Sequence, residues 1–139
     1  FEKEDNINIF VSFCKRVFNE YSSKVDYWCT INEPAVVAVQ GYFSGMFPPG
    51  IKDSQLSAVV LKNLLEAHVQ VYHSLKKLSN GTNVKIGLVK NINQFDPWRR
   101  WHIFDWIISC MANHFFNGST IKFLRTGIFN LIQNQVLYD

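Results

Sequence analysis

The sequence predicts an α/β fold with parallel strands. Along the 139 residues, hydrophobic periodicity alternates in the order helix, strand, helix, strand, helix. The first strand, Val25–Ile31, is aromatic and β-branched and apolar on both sides at its end, which is typical of a strand covered by helices on both faces. Polar residues follow both strands, at the ends where parallel α/β folds gather their active sites. The length fits one domain, or a part of one.

The first helix is predicted to begin with Asp5 as its capping residue and to end near Ser22 and Ser23. Its apolar residues recur at intervals of three and four: Ile9, Phe10, Phe13, Val17 and Tyr21. The strand Val25–Ile31 follows; it is too short for a buried helix, and Pro34 stops the segment.

Pro34 predicts a short helix that passes through two glycines into an irregular loop ending at Pro48-Pro49-Gly50. Loops of this length often form the walls of sites. A long helix is then predicted over Ser54–Ser79, closed by Asn80-Gly81. Its apolar residues keep helical spacing throughout: Leu56, Val59, Val60, Leu64, Ala67, Val71, Leu75 and Leu78.

The second strand is predicted over Val84–Val89, and a polar loop containing Asn91 and Asn93 follows it. A further helix, roughly Trp98–Phe116, carries aromatic residues at helical spacing, and Asn117-Gly118 is predicted to break it before a last short helix.

The composition excludes several classes of protein. Lys and Arg total 14 against 11 for Asp and Glu, and the net charge of +3 is scattered, so neither nucleic acid nor a membrane surface is an expected partner. No apolar stretch reaches the ~18 residues needed to span a bilayer. Three cysteines without paired spacing, Cys14, Cys29 and Cys110, predict reduced thiols in a cytoplasmic protein, with neither a disulfide framework nor a zinc site.

The most prominent candidate residue is Glu33, a carboxylate that directly follows a predicted strand. Two interpretations fit this placement. Glu33 can be a catalytic acid at the active-site end of the sheet. It can also belong to the cap of the next helix, since Pro34 would occupy the first helical position, and for this local pattern alone capping is the commoner role.

A longer motif, TINEPAVVAVQGYFSGMFPPG, resembles the pattern of glycoside hydrolase family 1, in which a strand ends in Thr-Phe-Asn-Glu-Pro and a helix, a Gly-Tyr pair and a Pro-Gly loop follow. Ile31 and Pro48 are mild departures from that pattern. The matching residues are Thr30, Asn32, Glu33, Pro34, Gly41, Tyr42, Gly45, Phe47, Pro49 and Gly50. The flanking segments VFNEYSSKVDYW, HVQVYHSLKK and VKIGLVKN are also similar to the family.

The resemblance implies part of a (β/α)8 TIM barrel that hydrolyses β-glucosides or their 6-phosphates with retention of configuration. Glu33 falls on the family's general acid/base, and a Gln, as in relatives that cleave thioglucosides, is not present there. Asn32 would donate to the sugar 2-hydroxyl, and Asn91 is a further substrate-binding candidate. A retaining mechanism needs two carboxyl groups ~5 Å apart, and an apolar neighbour such as Trp28 would favour a protonated Glu33.

The family's nucleophile lies in a Thr-Glu-Asn-Gly segment that this chain does not contain. Glu66 is the one glutamate after Glu33, and it falls inside the long helix. The resemblance therefore implies about a third of a barrel, holding the acid/base without its nucleophile. The alternative is a catalytically inactive remnant, or an interaction piece that associates with other barrel segments or with itself, because two strands alone leave sheet edges and helix faces bare.

Other patterns in the sequence are weaker indications of a functional site. The stretch WRRWHIFDW is more typical of packing beside a solvated charge than of a binding patch. His68 and His73 are five residues apart, which does not suit a metal pair on a helix, so core or rim positions are expected. Asn80 and Asn117 begin glycosylation patterns that are more simply Asn-Gly turns. No metal and no cofactor is expected.

Overall fold

The computed structural model describes residues 1–80 and 83–129, and the chain divides into two compact units, the first ending at Lys90 and the second beginning at Asn91. The first unit contains α1 (Asp5–Tyr21), β1 (Tyr27–Asn32), α2 (Pro34–Ala38), a π-helical turn (Val39–Phe43), α3 (Ser54–Leu78) and β2 (Lys85–Val89). The described part of the second unit contains α4 (Ile103–Asn113), a second π-helical turn (His114–Gly118) and α5 (Ser119–Thr126). The predicted order of helices and strands is confirmed.

The two strands pair in parallel, as predicted. Tyr27 lies opposite Lys85 at the start of the ladder, and Asn32 lies opposite Val89 at its end. The helix α3 crosses over between the strands and packs on both of them and on α1. Its buried face forms the centre of the core through Val60, Leu61, Leu64, Leu65, Ala67, Val71 and Leu75. The carboxyl ends of both strands therefore lie at one edge of the sheet.

The prediction of a strand buried on both faces is wrong for β1 in this chain. Ile31 is the one buried residue of β1, while Tyr27 and Cys29 are exposed. Within the described residues the sheet has two strands, so β1 has one hydrogen-bonded neighbour and lacks the second that would cover its other edge. A strand with this apolar composition is suited to a larger sheet in which it is buried on both sides. The two described strands do not bury β1 in this way.

The prediction that Asp5 caps α1 is wrong. The backbone is already helical at Glu4, whose carbonyl accepts a hydrogen bond from the Ile7 amide at 2.9 Å, so Asp5 lies in the first turn. The cap at α3 is made by a residue outside the predicted helix: the carboxylate of Asp53 accepts from the amides of Gln55 and Leu56 at 2.9 and 3.0 Å. This cap fixes where α3 begins.

Asn117 and Gly118 do not break the helix after α4. The chain continues through the second π-helical turn into α5, and the Asn117 side chain is buried. Its amide donates to the Asn93 carbonyl and to Asn113 Oδ1, both at 2.7 Å, and its oxygen accepts from the Asn93 amide at 3.2 Å. The sequence pattern for a turn was therefore misleading, because these tertiary contacts keep the residue inside the helical segment.

Asn80, just after the end of α3, does adopt the left-handed conformation expected at a helix end, with φ of 48°, and Gly81 lies outside the described residues.

None of the helices in the described ranges is long and apolar enough to cross a membrane.

Candidate active site

The Glu33 backbone links the two strands to α2. Its amide donates to the Val89 carbonyl at 2.9 Å, extending the pairing one residue past the end of β1. Its carbonyl accepts from the amides of Val36 and Val37 at 2.9 and 3.1 Å and so starts α2, with Pro34 in the first turn. These bonds place Glu33 at the carboxyl edge of the sheet, where the sequence predicted it.

Glu33 also has an unusual backbone conformation. Its φ of 47° and ψ of 60° lie in the left-handed region, which costs a residue with a side chain ~1–2 kcal/mol. Among the residues that the structure describes, the Glu33 side chain makes no capping hydrogen bond to α2, and it is half-buried. Glu33 therefore occupies the N-cap position of α2 through its backbone carbonyl, and its side chain takes no part in the cap.

Trp28 is not the neighbour that acts on Glu33. It lies at the other end of β1, five residues away and therefore ~15 Å along the strand. Its ring packs against Phe18 at 5.0 Å between centroids, and its Nε1 donates to the Val25 carbonyl at 2.9 Å. The predicted apolar setting from Trp28 is wrong, because the side chain serves the packing of β1 on α1.

Lys90 is the neighbour that the sequence interpretation missed. Burial lowers the pKa of its ammonium group, and the negative charge of Glu33 acts in the opposite direction. The signal was present in the sequence: Lys90 directly follows β2 as Glu33 directly follows β1, and parallel strands bring those positions to the same edge. The carboxylate of Glu33 therefore lies within electrostatic range of a half-buried cation.

The other predicted residues divide between the two units. Asn32 is the last residue of β1 and is exposed beside Glu33. Asn91 is half-buried and opens the second unit, so its assignment to the substrate stays a prediction. Glu66 is buried within α3 and ion-paired with Lys62 at 3.2 Å.

His68 and His73 lie in different environments. His68 is buried and bonds Thr30, whereas His73 is exposed, as the core and rim interpretation predicted. The described ranges 1–80 and 83–129 contain no cluster of three His, Cys, Asp or Glu that could hold a metal.

In the second unit, the guanidinium of Arg99 donates two hydrogen bonds to the carboxylate of Asp105. This bidentate contact lowers the pKa of the Asp105 carboxyl to about 2.

The predicted loop after the first π-helical turn is held against that turn by its backbone. The amides of Phe47, Ile51 and Asp53 donate to carbonyls of the turn at 3.0, 3.0 and 2.7 Å. A Cβ at Gly41 would lie 3.1 Å from the Pro48 carbonyl oxygen, so the turn and the loop touch closely there. Phe47 itself remains exposed.

Two glycines of this loop give a matched pair of substitutions. Gly45 and Gly50 both have positive φ, but a Cβ at Gly45 would lie 3.0 Å from the Gly50 oxygen, whereas a Cβ at Gly50 has no neighbour nearer than 3.9 Å. We expect Gly45→Ala to lower the free energy of unfolding by roughly 1–3 kcal/mol more than Gly50→Ala, since only the former adds a clash to the backbone cost. Urea denaturation of both variants measures this, and equal losses would contradict the close packing.

The parallel strands and their crossover helix define a segment of a (β/α)8 barrel, as in the structural neighbours. The profile of Glycosyl hydrolase family 1 matches residues 1–118. The chain belongs to glycosyl hydrolase family 1.

Its relatives and structural neighbours are consistent with this membership. A 1,4-beta-D-glucan glucohydrolase from Thermotoga neapolitana is 35% identical over 91 residues, which are 63% of this chain and 20% of that protein. A 6-phospho-beta-galactosidase from Clostridium acetobutylicum is 36% identical over 89 residues, 63% of this chain and 18% of that protein. A beta-glycosidase from Pyrococcus horikoshii superposes with a TM-score of 0.88 at 26% identity, covering 100% of this chain and 31% of that one. The chain thus spans less than a third of these relatives.

Proposed function

We propose that the chain is the acid/base segment of a retaining β-glycosidase, in which Glu33 protonates the oxygen of the bond that breaks and Asn32 binds the sugar. The observation that carries the proposal is the left-handed Glu33 at the carboxyl edge of the sheet, with its side chain unused in capping α2. Retention requires a second carboxylate to attack the anomeric carbon while the leaving oxygen takes the proton. We place that nucleophile outside this chain, because Glu66 is buried in α3.

The substrates we propose are O-linked β-glucosides or their 6-phosphates. The named activities of the two relatives support this range, since one is a glucohydrolase and the other acts on 6-phosphorylated galactosides. Asn91 stays a prediction as a further substrate ligand, and the cytoplasm stays a prediction as the compartment. The assignment of residues 1–139 to one partial barrel is likewise a prediction.

The test compares this chain alone with a completed barrel, meaning the chain joined to the remaining segments of a family 1 β-glucosidase. We expect the completed barrel to hydrolyse nitrophenyl β-glucoside or its 6-phosphate, and the chain alone to release no nitrophenol. Turnover by the chain alone that disappears in Glu33→Ala would show that a second carboxylate is recruited from this chain or from another copy. A well-folded completed barrel without activity would refute the catalytic proposal.

A second candidate is an interaction piece without catalysis of its own. Large apolar side chains are exposed in both units, including Ile9 and Phe13 on α1 of the first, and Trp98 and Trp101 before α4 of the second. Apolar surface of this kind favours association with another chain or a second copy. Light scattering of the purified chain separates the two candidates when combined with the assay: a defined oligomer with no activity in the completed barrel supports the interaction role.

A further inference from the structure

The strand pairing changes register immediately before Glu33. Cys29 lies opposite Gly87, and Asn32 lies opposite Val89, so β1 advances three residues while β2 advances two. The extra residue in this interval makes a β-bulge next to the proposed catalytic residue. A bulge of this type changes which face of the sheet the following side chains take. The direction of Asn32 and Glu33 therefore depends on the bulge.

Thr30 lies inside the bulge and connects it to two other elements. Its Oγ1 is 3.3 Å from the Gly87 carbonyl oxygen of β2 and 2.7 Å from Nδ1 of His68 on α3. A hydroxyl has one proton to donate, so both contacts are satisfied together when Thr30 donates to Gly87 and His68 donates from Nδ1. His68 is buried, and burial lowers the pKa of its imidazole, which agrees with a neutral ring.

The strained backbone of Glu33 follows this contact by three residues. The left-handed conformation persists because hydrogen bonds hold it on both sides. The Glu33 amide donates to the Val89 carbonyl, and the Glu33 carbonyl accepts from amides of α2. The bond to Val89 forms only in the register that follows the bulge. If β1 shifted by one residue, its side chains would exchange faces and this bond would be lost.

We propose that Thr30 and His68 are positioning residues for Glu33, because their hydrogen bond holds the β-bulge that fixes its left-handed backbone. The catalytic meaning of this device rests on the proposed function of Glu33. The structural part, that the hydroxyl of Thr30 controls the Glu33 backbone, stands independently of any activity.

The first experiment measures the backbone of Glu33 by NMR in the full 139-residue chain. The Glu33 Cα and Cβ chemical shifts and its amide coupling constant report the left-handed conformation. We expect Thr30→Val, which removes the hydroxyl at nearly constant volume, to abolish the left-handed signature, and Thr30→Ser to keep it. Unchanged Glu33 signals in a folded Thr30→Val chain would overturn the proposal.

The matched control is Lys76→Met, which removes another hydrogen bond from α3 to the β2 region. The Lys76 ammonium donates to the Val84 carbonyl, at the opposite end of the strand from Glu33. We expect this variant to leave the Glu33 signals unchanged. If it alters them as Thr30→Val does, the effect reflects general loosening of α3 and the proposal is refuted.

The second experiment measures leaving-group dependence in the completed barrel. A misplaced acid harms substrates that need protonation, so Thr30→Val should lower kcat/KM about tenfold for phenyl β-glucoside and less than about threefold for the dinitrophenyl glucoside. Thr30→Ser should restore the loss. An equal fall on both substrates would refute positioning. If Glu33→Gln shows no leaving-group effect either, the proposed function fails, while the NMR result still decides whether Thr30 controls the bulge.

Discussion

Replacement of Glu33 by Gln in the completed barrel should lower kcat/KM for phenyl β-glucoside by roughly 10²–10⁴-fold, the usual contribution of a general acid. Phenol is a poor leaving group, so under the proposed function breaking its bond depends on a proton from Glu33. The loss should be far smaller for dinitrophenyl β-glucoside, whose leaving group departs without protonation. Gln keeps the size of the side chain and cannot exchange a proton, so packing is disturbed little.

Azide distinguishes this role from general damage. Under the proposed function, the glycosyl intermediate that the Glu33→Gln variant forms from the dinitrophenyl substrate would have no base to activate water, and azide needs no such base. We therefore expect azide to raise turnover of the variant and to produce the β-glycosyl azide. The matched control is Glu66→Gln, which changes a buried carboxylate ion-paired on α3. Azide should not accelerate that variant, and equal leaving-group losses in both would contradict the assignment of Glu33.

Replacement of Leu65 by Ala should lower the free energy of unfolding by about 2–5 kcal/mol. Leu65 has no exposed surface, and it lies in the middle of α3, the helix that packs on α1 and on both strands. Truncation removes apolar contacts and leaves a cavity that the surrounding helices cannot fully close. Urea denaturation followed by circular dichroism measures the loss.

Leu78→Ala is the matched control for this substitution. Leu78 is the last residue of the same helix and is 42% exposed, so the same change should cost about 1 kcal/mol or less. Equal losses at Leu65 and Leu78 would mean that α3 is not the centre of the core. If the free energy of unfolding falls with urea concentration at the same slope in both variants, the folded state keeps its compactness.

Local patterns in the sequence were sufficient to predict the element order and the position of Glu33. The three-and-four spacing of apolar residues located α1 and α3, and the TINEP string placed Glu33 between β1 and α2. These features depend on residues close together in the chain, so their periodicity and the proline record them. The expected break at Asn117 failed because its buried amide bonds Asn93, a residue well outside the local pattern.

The sequence by itself determined that a carboxylate follows a parallel strand in a family 1 fold, because strand, proline and helix are all local signals. Only the tertiary structure decided how that carboxylate is held. The bulge before Glu33, the contact between Thr30 and His68, and the charge of Lys90 beside the carboxylate all join residues distant in sequence. Such contacts arise when α3 carries the chain from β1 back to the edge of the sheet, and no periodicity in the sequence encodes their geometry.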